Sequence, residues 1–262
     1  MHSGAEKQSK IQIKNTRYSK MKKTLGVLGG MGPLATADFF TKIVNLTKAD
    51  ADSDHIHILI DNYPQIKDRT AHIVNGAESP LPQMTAAVKR LMDNGADLIA
   101  MPCNTAHYFA PAIEEATGCQ FVHILKVNAK AGKERFGADK KVGILATTGV
   151  VKSGIYVKAF ADEGIESILP LPDEQEKILG YIYDVKGGKY PENPKDFTDI
   201  LDSMMARGAD YFVLGCTELP LIADHLKLHE RYNLLDTTYE QAKAAVLACG
   251  YELKGSVDYD EE

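Results

Sequence analysis

The chain states one pattern twice. Gly95-Ala96-Asp97 and the apolar run Leu98-Ile99-Ala100-Met101 lead to Cys103-Asn104-Thr105; Gly208-Ala209-Asp210 and the run Tyr211-Phe212-Val213-Leu214-Gly215 lead to Cys216-Thr217. A short apolar run bounded by turn residues reads as a strand buried on both faces, as in the middle of a parallel sheet. Each copy therefore carries a cysteine and a hydroxyl to the carboxyl end of a strand, the edge at which open α/β sheets hold ligands.

The rest of the sequence extends the duplication. Lys140-Lys141-Val142-Gly143-Ile144-Leu145 echoes Lys22-Lys23-Thr24-Leu25-Gly26-Val27-Leu28, and Ala146-Thr147-Thr148-Gly149 stands where the first copy has Gly29-Gly30-Met31-Gly32-Pro33. Nearly the same separation divides Gly26 from Gly143 and Cys103 from Cys216. Strands are expected over 24–28, 55–60, 98–101 and 121–124, then over 140–145, 166–170, 211–215 and 234–236. Helices are expected over 34–48, 79–94, from Cys103 to 117, 126–136, 153–163, 173–185, from Asn193-Pro194 to Arg207, and 237–249. The expected fold is α/β: two pseudo-symmetric domains with mostly parallel sheets and the active site in the cleft between them. The first domain takes 21–125 and is completed by the C-terminal helix 237–249; the second takes 126–236. Residues 1–20 are expected to be an extension and 250–262 an acidic tail.

Composition limits the partners. A net charge of −6 with no basic stripe argues against nucleic acid, and leaves room for a small anion in a local basic pocket. No apolar run reaches the roughly 20 residues of a membrane span. Residues 1–20 carry Lys7, Lys10, Lys14, Arg17 and Lys20 without the apolar core of a signal peptide. Four scattered cysteines then suggest free thiols in a reducing compartment, and a cytoplasmic protein.

Candidate ligand groups stand at the strand ends. The turn 29–33 has either a purely conformational role or that of an anion seat, with backbone N–H groups facing a carboxylate or phosphate; it is neither a Walker loop nor a dinucleotide fingerprint. Arg69 follows a polar loop that also holds Gln65, and is suited to a bidentate hold on a carboxylate or else is solvated. Lys186 opens a second loop, 186–189. Met31, Gln65, Asn104, Thr105, Thr147, Thr217 and Glu218 are candidate substrate contacts around the two thiols. His55 and His57 share a strand face and read as packing or surface; Cys119 and Cys249 read as structural.

Two thiols at paired strand ends have few uses. A disulfide is unfavoured in the cytosol. Zinc wants three or four ligands, and Cys103 with His107 has no further cluster near it in sequence, so no metal is expected. A single nucleophile leaves the second thiol unexplained. Two acid/base groups on opposite faces of a substrate remain: one thiolate removes a proton, the other thiol returns one, and a stereocentre inverts. A free thiol has a pKa of about 8.5, so such a site must ease ionisation and stabilise carbanion charge.

In Gly29-Gly30-Met31-Gly32-Pro33, Cys103-Asn104-Thr105-Ala106-His107 and Gly215-Cys216-Thr217-Glu218, the chain resembles the cofactor-independent aspartate/glutamate racemases over nearly all of 22–249. The resemblance implies a two-domain α/β fold, a pyridoxal-free mechanism with Cys103 and Cys216 catalytic, an acidic amino acid as substrate, and a homodimer. Glu218 after Cys-Thr resembles the aspartate branch, where the glutamate branch has His. Arg69 and Lys186 fall where aspartate racemases keep the basic residues that hold the side-chain carboxylate, and the resemblance has Cys216 deprotonating the L enantiomer. Lys67 stands where the family commonly has proline, which is expected to loosen the loop bearing Arg69. The expected activity is interconversion of L- and D-aspartate; alternatives are a glutamate or broader racemase, or a non-catalytic amino-acid-binding protein, which would need neither thiol.

Overall fold

The computed structural model describes residues 22–255. The expected extension 1–20 lies outside the described residues, as does 256–262 of the expected tail.

Two four-stranded sheets, all parallel, make up the frame. In the first, β1 (Leu25–Gly29), β2 (Ile58–Asn62), β3 (Leu98–Ala100) and β4 (Phe121–Val122) lie in the order β2-β1-β3-β4. In the second, β5 (Val142–Ala146), β6 (Ser167–Ile168), β7 (Tyr211–Gly215) and β8 (Leu234–Asp236) lie in the order β6-β5-β7-β8. The two orders are the same when the second set is renumbered from one. The inner strands β1, β3, β5 and β7 are buried along their whole length, which is why they read as unbroken apolar runs. The edge strands β2 and β6 are only part-buried and are correspondingly mixed in sequence.

The duplicated Gly-Ala-Asp has a structural purpose. Gly95 and Gly208 hold φ of 96° and 105°, a region open to glycine, and turn the chain into β3 and β7. The aspartate that follows clamps the neighbouring strand: Asp97 Oδ2 accepts the Thr24 N–H at 2.8 Å, and Asp210 Oδ2 accepts the Lys141 N–H at 2.8 Å. In return the Asp97 and Asp210 N–H groups each donate to the carbonyl of the same partner, at 2.9 Å. These reciprocal pairs fix how far β3 advances along β1, and β7 along β5, and so where each cysteine emerges.

Helices α1 (Pro33–Leu46), α3 (Leu81–Asp93) and α4 (Ala110–Thr117) belong to the first half of the chain; α5 (Ile124–Phe136) packs into a core with β5 and β7 of the second sheet, and α8 (Pro172–Lys186), α9 (Lys195–Ala206) and α10 (Leu219–His225) belong to the second half. The last helix, α11 (Thr237–Ala248), turns back onto the first sheet. Its Ala242, Ala245, Val246 and Cys249 beyond it share a core with Leu25, Val27 and Phe39. Asp236 caps it, accepting from the Thr238 and Tyr239 N–H groups.

Several expectations need correction. The second strand starts at Ile58 rather than His55, because His57 turns its Nδ1 to Thr24 Oγ1 at 3.4 Å and stands before the strand. The polar loop ends in an unforeseen helix, α2 (Arg69–Asn75), whose N-cap Asp68 accepts from the Ala71 N–H at 2.6 Å. The expected helix over 153–163 is two: α6 (Thr148–Ser153) begins straight after β5 and breaks at Gly154, where α7 (Ile155–Asp162) starts. Lys186 is the last residue of α8, not a loop residue. Of the expected tail, residues 250–255 are tied down: Leu253 bridges Thr47, and the Lys254 N–H donates to the Leu46 carbonyl at 2.8 Å.

Candidate active site

The carboxyl ends of both sheets open on one cavity of about 90 Å³. That is far below the roughly 300–1,000 Å³ of pockets for drug-sized ligands, so its occupant is small. Cys103 and Cys216 both line it, each from the strand-end turn after an inner strand, and both are buried. Met31, Arg69, Asn104, Thr105, Thr147, Lys186 and Thr217 line it too. Glu218 stands immediately behind, bonded to the lining residues. Gln65 is not brought in: it is exposed, and its carbonyl accepts from the Gln83 amide at 3.1 Å.

The two halves meet across this cavity in hydroxyl and amide contacts. Thr105, after β3, and Thr147, after β5, share a hydrogen bond of 2.9 Å between their Oγ1 atoms. Thr147 is also the N-cap of α6, accepting from the Val150 N–H. Gly149 allows the close approach, since a Cβ there would meet Thr70 Oγ1 at 3.0 Å and Thr105 Cγ2 at 3.1 Å. Asn104 is committed at both ends of its amide: Oδ1 accepts from the Tyr156 hydroxyl at 2.6 Å, and Nδ2 donates to Thr237 Oγ1 at 3.2 Å. Thr237 in turn donates to the Leu214 carbonyl, so Asn104 knits the Cys103 turn to the strand that leads to Cys216.

The two cysteines differ in surroundings. Behind Cys103 lies His107, fully enclosed, whose Nδ1–H donates to the Cys103 carbonyl at 2.9 Å while Nε2 accepts the Ile124 N–H at 3.2 Å. Accepting at Nε2 requires the neutral ring. Burial, with His123 beside it, pushes its pKa down to about 3. Cys216 instead touches a charge. Its Sγ–H donates to Glu218 Oε2 at 2.9 Å, the Thr217 hydroxyl donates to the same oxygen at 3.1 Å, and Lys186 Nζ holds Oε1 at 2.6 Å. Burial drives the Cys216 thiol well above its ordinary range; the Glu218 carboxylate pushes the same way and Lys186 opposes both. For Lys186, burial works against the charge, but Cys216, Glu218 and Cys103 outweigh it and raise its pKa.

Arg69 sits at N1 of α2 with its guanidinium turned to the cavity wall. It donates to the carbonyls of Lys67 at 3.0 Å, Ile66 at 3.3 Å and Met31 at 3.5 Å, and its buried Nε has no hydrogen-bond partner among the described residues. The loop before it is not loose. Lys67 in place of proline keeps an N–H, which donates to Gln83 Oε1 at 2.9 Å, and Asp68 caps the helix that carries Arg69. Of the turn 29–33, Met31 reaches the cavity, while the Gly30 N–H is spent on Thr36 Oγ1 at 2.9 Å, so the turn as a whole is not an open anion seat.

Sequence reasoning missed Tyr156, Thr237, Tyr183, Asp68 and Thr70 around the cavity. Tyr183 carried a usable signal, because it lies three residues before Lys186 on one helix and shares its face. Tyr156 and Thr237 carried none, since they reach the site only through tertiary packing. Among the described residues, no three His, Cys, Asp or Glu side chains come together as a metal would need, and no helix is long and apolar enough to cross a membrane. All four cysteines are free thiols, and Cys119 and Cys249 are buried in core clusters and do not line the cavity.

Two parallel sheets of one strand order, their carboxyl ends turned to a common cleft, are the two-domain architecture of the Asp/Glu racemase fold. The chain belongs to the Asp/Glu/hydantoin racemase family, whose model matches residues 28–245. It is 28% identical over 228 residues to the broad specificity amino-acid racemase RacX of Bacillus subtilis, covering 85% of this chain and 96% of that one. Its fold is similar to that of the Picrophilus torridus aspartate racemase, with a TM-score of 0.76 and 29% identity over 88% of this chain and 96% of that chain. It is similar also to a putative Asp/Glu racemase from Yersinia pestis, with a TM-score of 0.74 and 25% identity over 87% and 99%.

Proposed function

We propose that this chain interconverts the enantiomers of an acidic α-amino acid, aspartate foremost, using Cys103 and Cys216 as two acid/base groups and neither pyridoxal phosphate nor metal. The observation that carries the reading is the pairing of two buried thiols with two cationic side chains, Arg69 and Lys186, around one cavity of small-metabolite size. The thiols supply the proton traffic. The cations hold the side-chain carboxylate, and an unpartnered Arg69 Nε supports a ligand group there.

The chemistry follows from the two-sided arrangement. A thiolate on one face removes the α-hydrogen as a proton, and the C–H electron pair passes to the α-carbon and its carboxylate. The thiol on the other face returns a proton. Both thiols are buried, and charge interactions are stronger away from bulk water than in it. The similarity to a broad specificity racemase supports a second reading, in which neutral amino acids are also turned over, with aspartate preferred for its second carboxylate. We further infer a cytosolic homodimer, which light scattering of the pure protein tests.

In D₂O, L-aspartate should yield D-aspartate that carries deuterium from the earliest time points, while residual L-aspartate stays protiated; the mirror pattern should hold from D-aspartate. Cys103→Ser and Cys216→Ser should each abolish racemisation in both directions, because either direction needs one base and one acid. Early, equal deuteration of both enantiomers, or full activity in either variant, overturns the two-base reading.

A further inference from the structure

Glu218 is oddly placed for a residue whose task is to hold an amino acid. It is buried behind the cavity wall, and its two oxygens are divided between a thiol and an ammonium: Oε2 takes the Cys216 Sγ–H at 2.9 Å, and Oε1 takes Lys186 Nζ at 2.6 Å. Lys186 lines the cavity, and both it and the carboxylate it pairs with bound a second, mainly apolar hollow of about 190 Å³, whose other walls are Pro33, Leu34, Ala35, Val185, Thr217 and Leu221. Among the described residues no carboxylate hydrogen-bonds Cys103, whose turn is backed by the neutral His107. The resting site therefore holds a carboxylate in contact with a thiol, and restrains that carboxylate with a cation that a ligand entering the cavity can reach.

We propose that Glu218 is a proton acceptor for Cys216, switched on when the side-chain carboxylate of the substrate draws Lys186 away from it. This rests on the reading of the site as an acidic-amino-acid racemase and adds a recognition step to it. With Lys186 paired, the Glu218 carboxylate is held by its counter-ion and Cys216 keeps its proton. A substrate carboxylate within reach of Lys186 Nζ competes for the same ammonium. Glu218 then keeps its Thr217 and Cys216 contacts but loses its counter-ion, with an apolar hollow on its other side. Loss of a counter-ion favours the uncharged form of a buried carboxyl group.

The steps balance. The Cys216 S–H bond breaks and an O–H bond forms on Glu218 Oε2, leaving a thiolate. The thiolate takes the α-hydrogen as a proton and becomes a thiol again, while the C–H electron pair stays on the substrate. Cys103 gives its proton to the opposite face and is left as a thiolate. When the product leaves, Lys186 returns to Glu218, which releases its proton through solvent to Cys103. The charged and titratable groups facing Glu218 are Cys216 and Lys186, with Cys103, Arg69, Asp68 and Tyr183 beyond them around the cavity. A substrate without a second carboxylate would leave Lys186 in place and Cys216 protonated, so selectivity for diacids is exerted on the chemical step as well as on binding.

Succinate tests the switch, because it carries the carboxylates and cannot racemise. In a chain with Cys103, Cys119 and Cys249 replaced by serine, the absorbance of the Cys216 thiolate near 240 nm is titrated against pH. Saturating succinate should raise the thiolate fraction at a given pH about tenfold or more, and Glu218→Gln in the same background should abolish that response. On the chain with all its cysteines, Glu218→Gln should lower kcat with aspartate by about 100-fold or more with little change in KM, and Glu218→Asp should restore part of it. An unchanged or diminished thiolate signal with saturating succinate, when succinate competitively inhibits aspartate turnover by the chain with all its cysteines, overturns the switch and leaves the racemase reading standing. An intact kcat in Glu218→Gln does the same. Absence of both aspartate turnover and succinate binding overturns both.

Discussion

His107 should make this protein acid-sensitive at the Cys103 side of the cleft. In the folded chain its two ring nitrogens serve two backbone groups, and its pKa lies at about 3. In the unfolded chain the ring titrates near 6.5. A folded pKa below the unfolded one means that the unfolded state binds the proton first as pH falls. The stabilisation is therefore full above about pH 6.5 and is lost progressively down to about 3. Between pH 7 and pH 5 the linkage amounts to about 2 kcal/mol, at roughly 1.4 kcal/mol per pH unit below the unfolded pKa. That is a large share of the 5–15 kcal/mol typical of whole domains. The assay is urea unfolding at both pH values, on the parent and on His107→Leu. The variant cannot titrate there, so its loss between pH 7 and pH 5 should be smaller than the parent's by about 2 kcal/mol. It should also be less stable at pH 7 by about 2–4 kcal/mol, because the Cys103 carbonyl and the Ile124 N–H lose their buried partners. Equal pH losses in the two proteins would refute the reasoning, for His107 would then take up its proton without unfolding.

The cationic end of the cavity gives a second expectation. Arg69→Ala and Lys186→Ala should each reduce aspartate kcat/KM by about 100-fold or more while moving the unfolding midpoint far less, and aspartate turnover intact in both variants would remove these residues from the site. Gly149→Val should cost about 1–3 kcal/mol and lower activity, since its side chain would press on Thr70 and Thr105 across the cleft; a variant with unchanged thermal midpoint and rate would show that the halves have slack there. Activity should survive both chelator and hydroxylamine, and its loss with recovery on adding a metal or pyridoxal phosphate would overturn the thiol-only mechanism.

Much of the frame was legible because the chain states it twice. The strand-end positions of Cys103 and Cys216 follow from apolar runs that only an inner parallel strand explains, and the common strand order of the two sheets is what the echo between 22–28 and 140–145 led one to expect. The edge strands were harder. β6 has two residues and is part-buried, so its sequence carries little of the periodicity that marks an element. Helix α2 was hidden in a polar stretch because what starts it is a cap at Asp68, and its helical residues include none that is fully buried. At the site, residues named by strand-end logic line the cavity, whereas Gln65 does not, because loop position alone says nothing of direction. The tie between Glu218, Lys186 and Cys216 was beyond reach from sequence. It depends on α8 ending beside the turn after β7, a matter of tertiary packing between residues 32 apart.

The return of α11 to the first sheet sets an order of events during synthesis. The face of β1 and α1 that this helix covers is apolar, with Leu25, Val27, Phe39 and Ile43 in the core it completes. Its partner residues Ala242, Ala245 and Val246 leave the ribosome more than a hundred residues after β4, whereas the second sheet has all its strands by Asp236. The half that is made first is thus the half that closes last, and until then it presents an uncovered apolar surface to the cell. Chaperone dependence and loss to aggregation should accordingly concentrate on chains stalled between these two points, and the N-terminal half expressed alone should bind a hydrophobic dye that the complete chain does not.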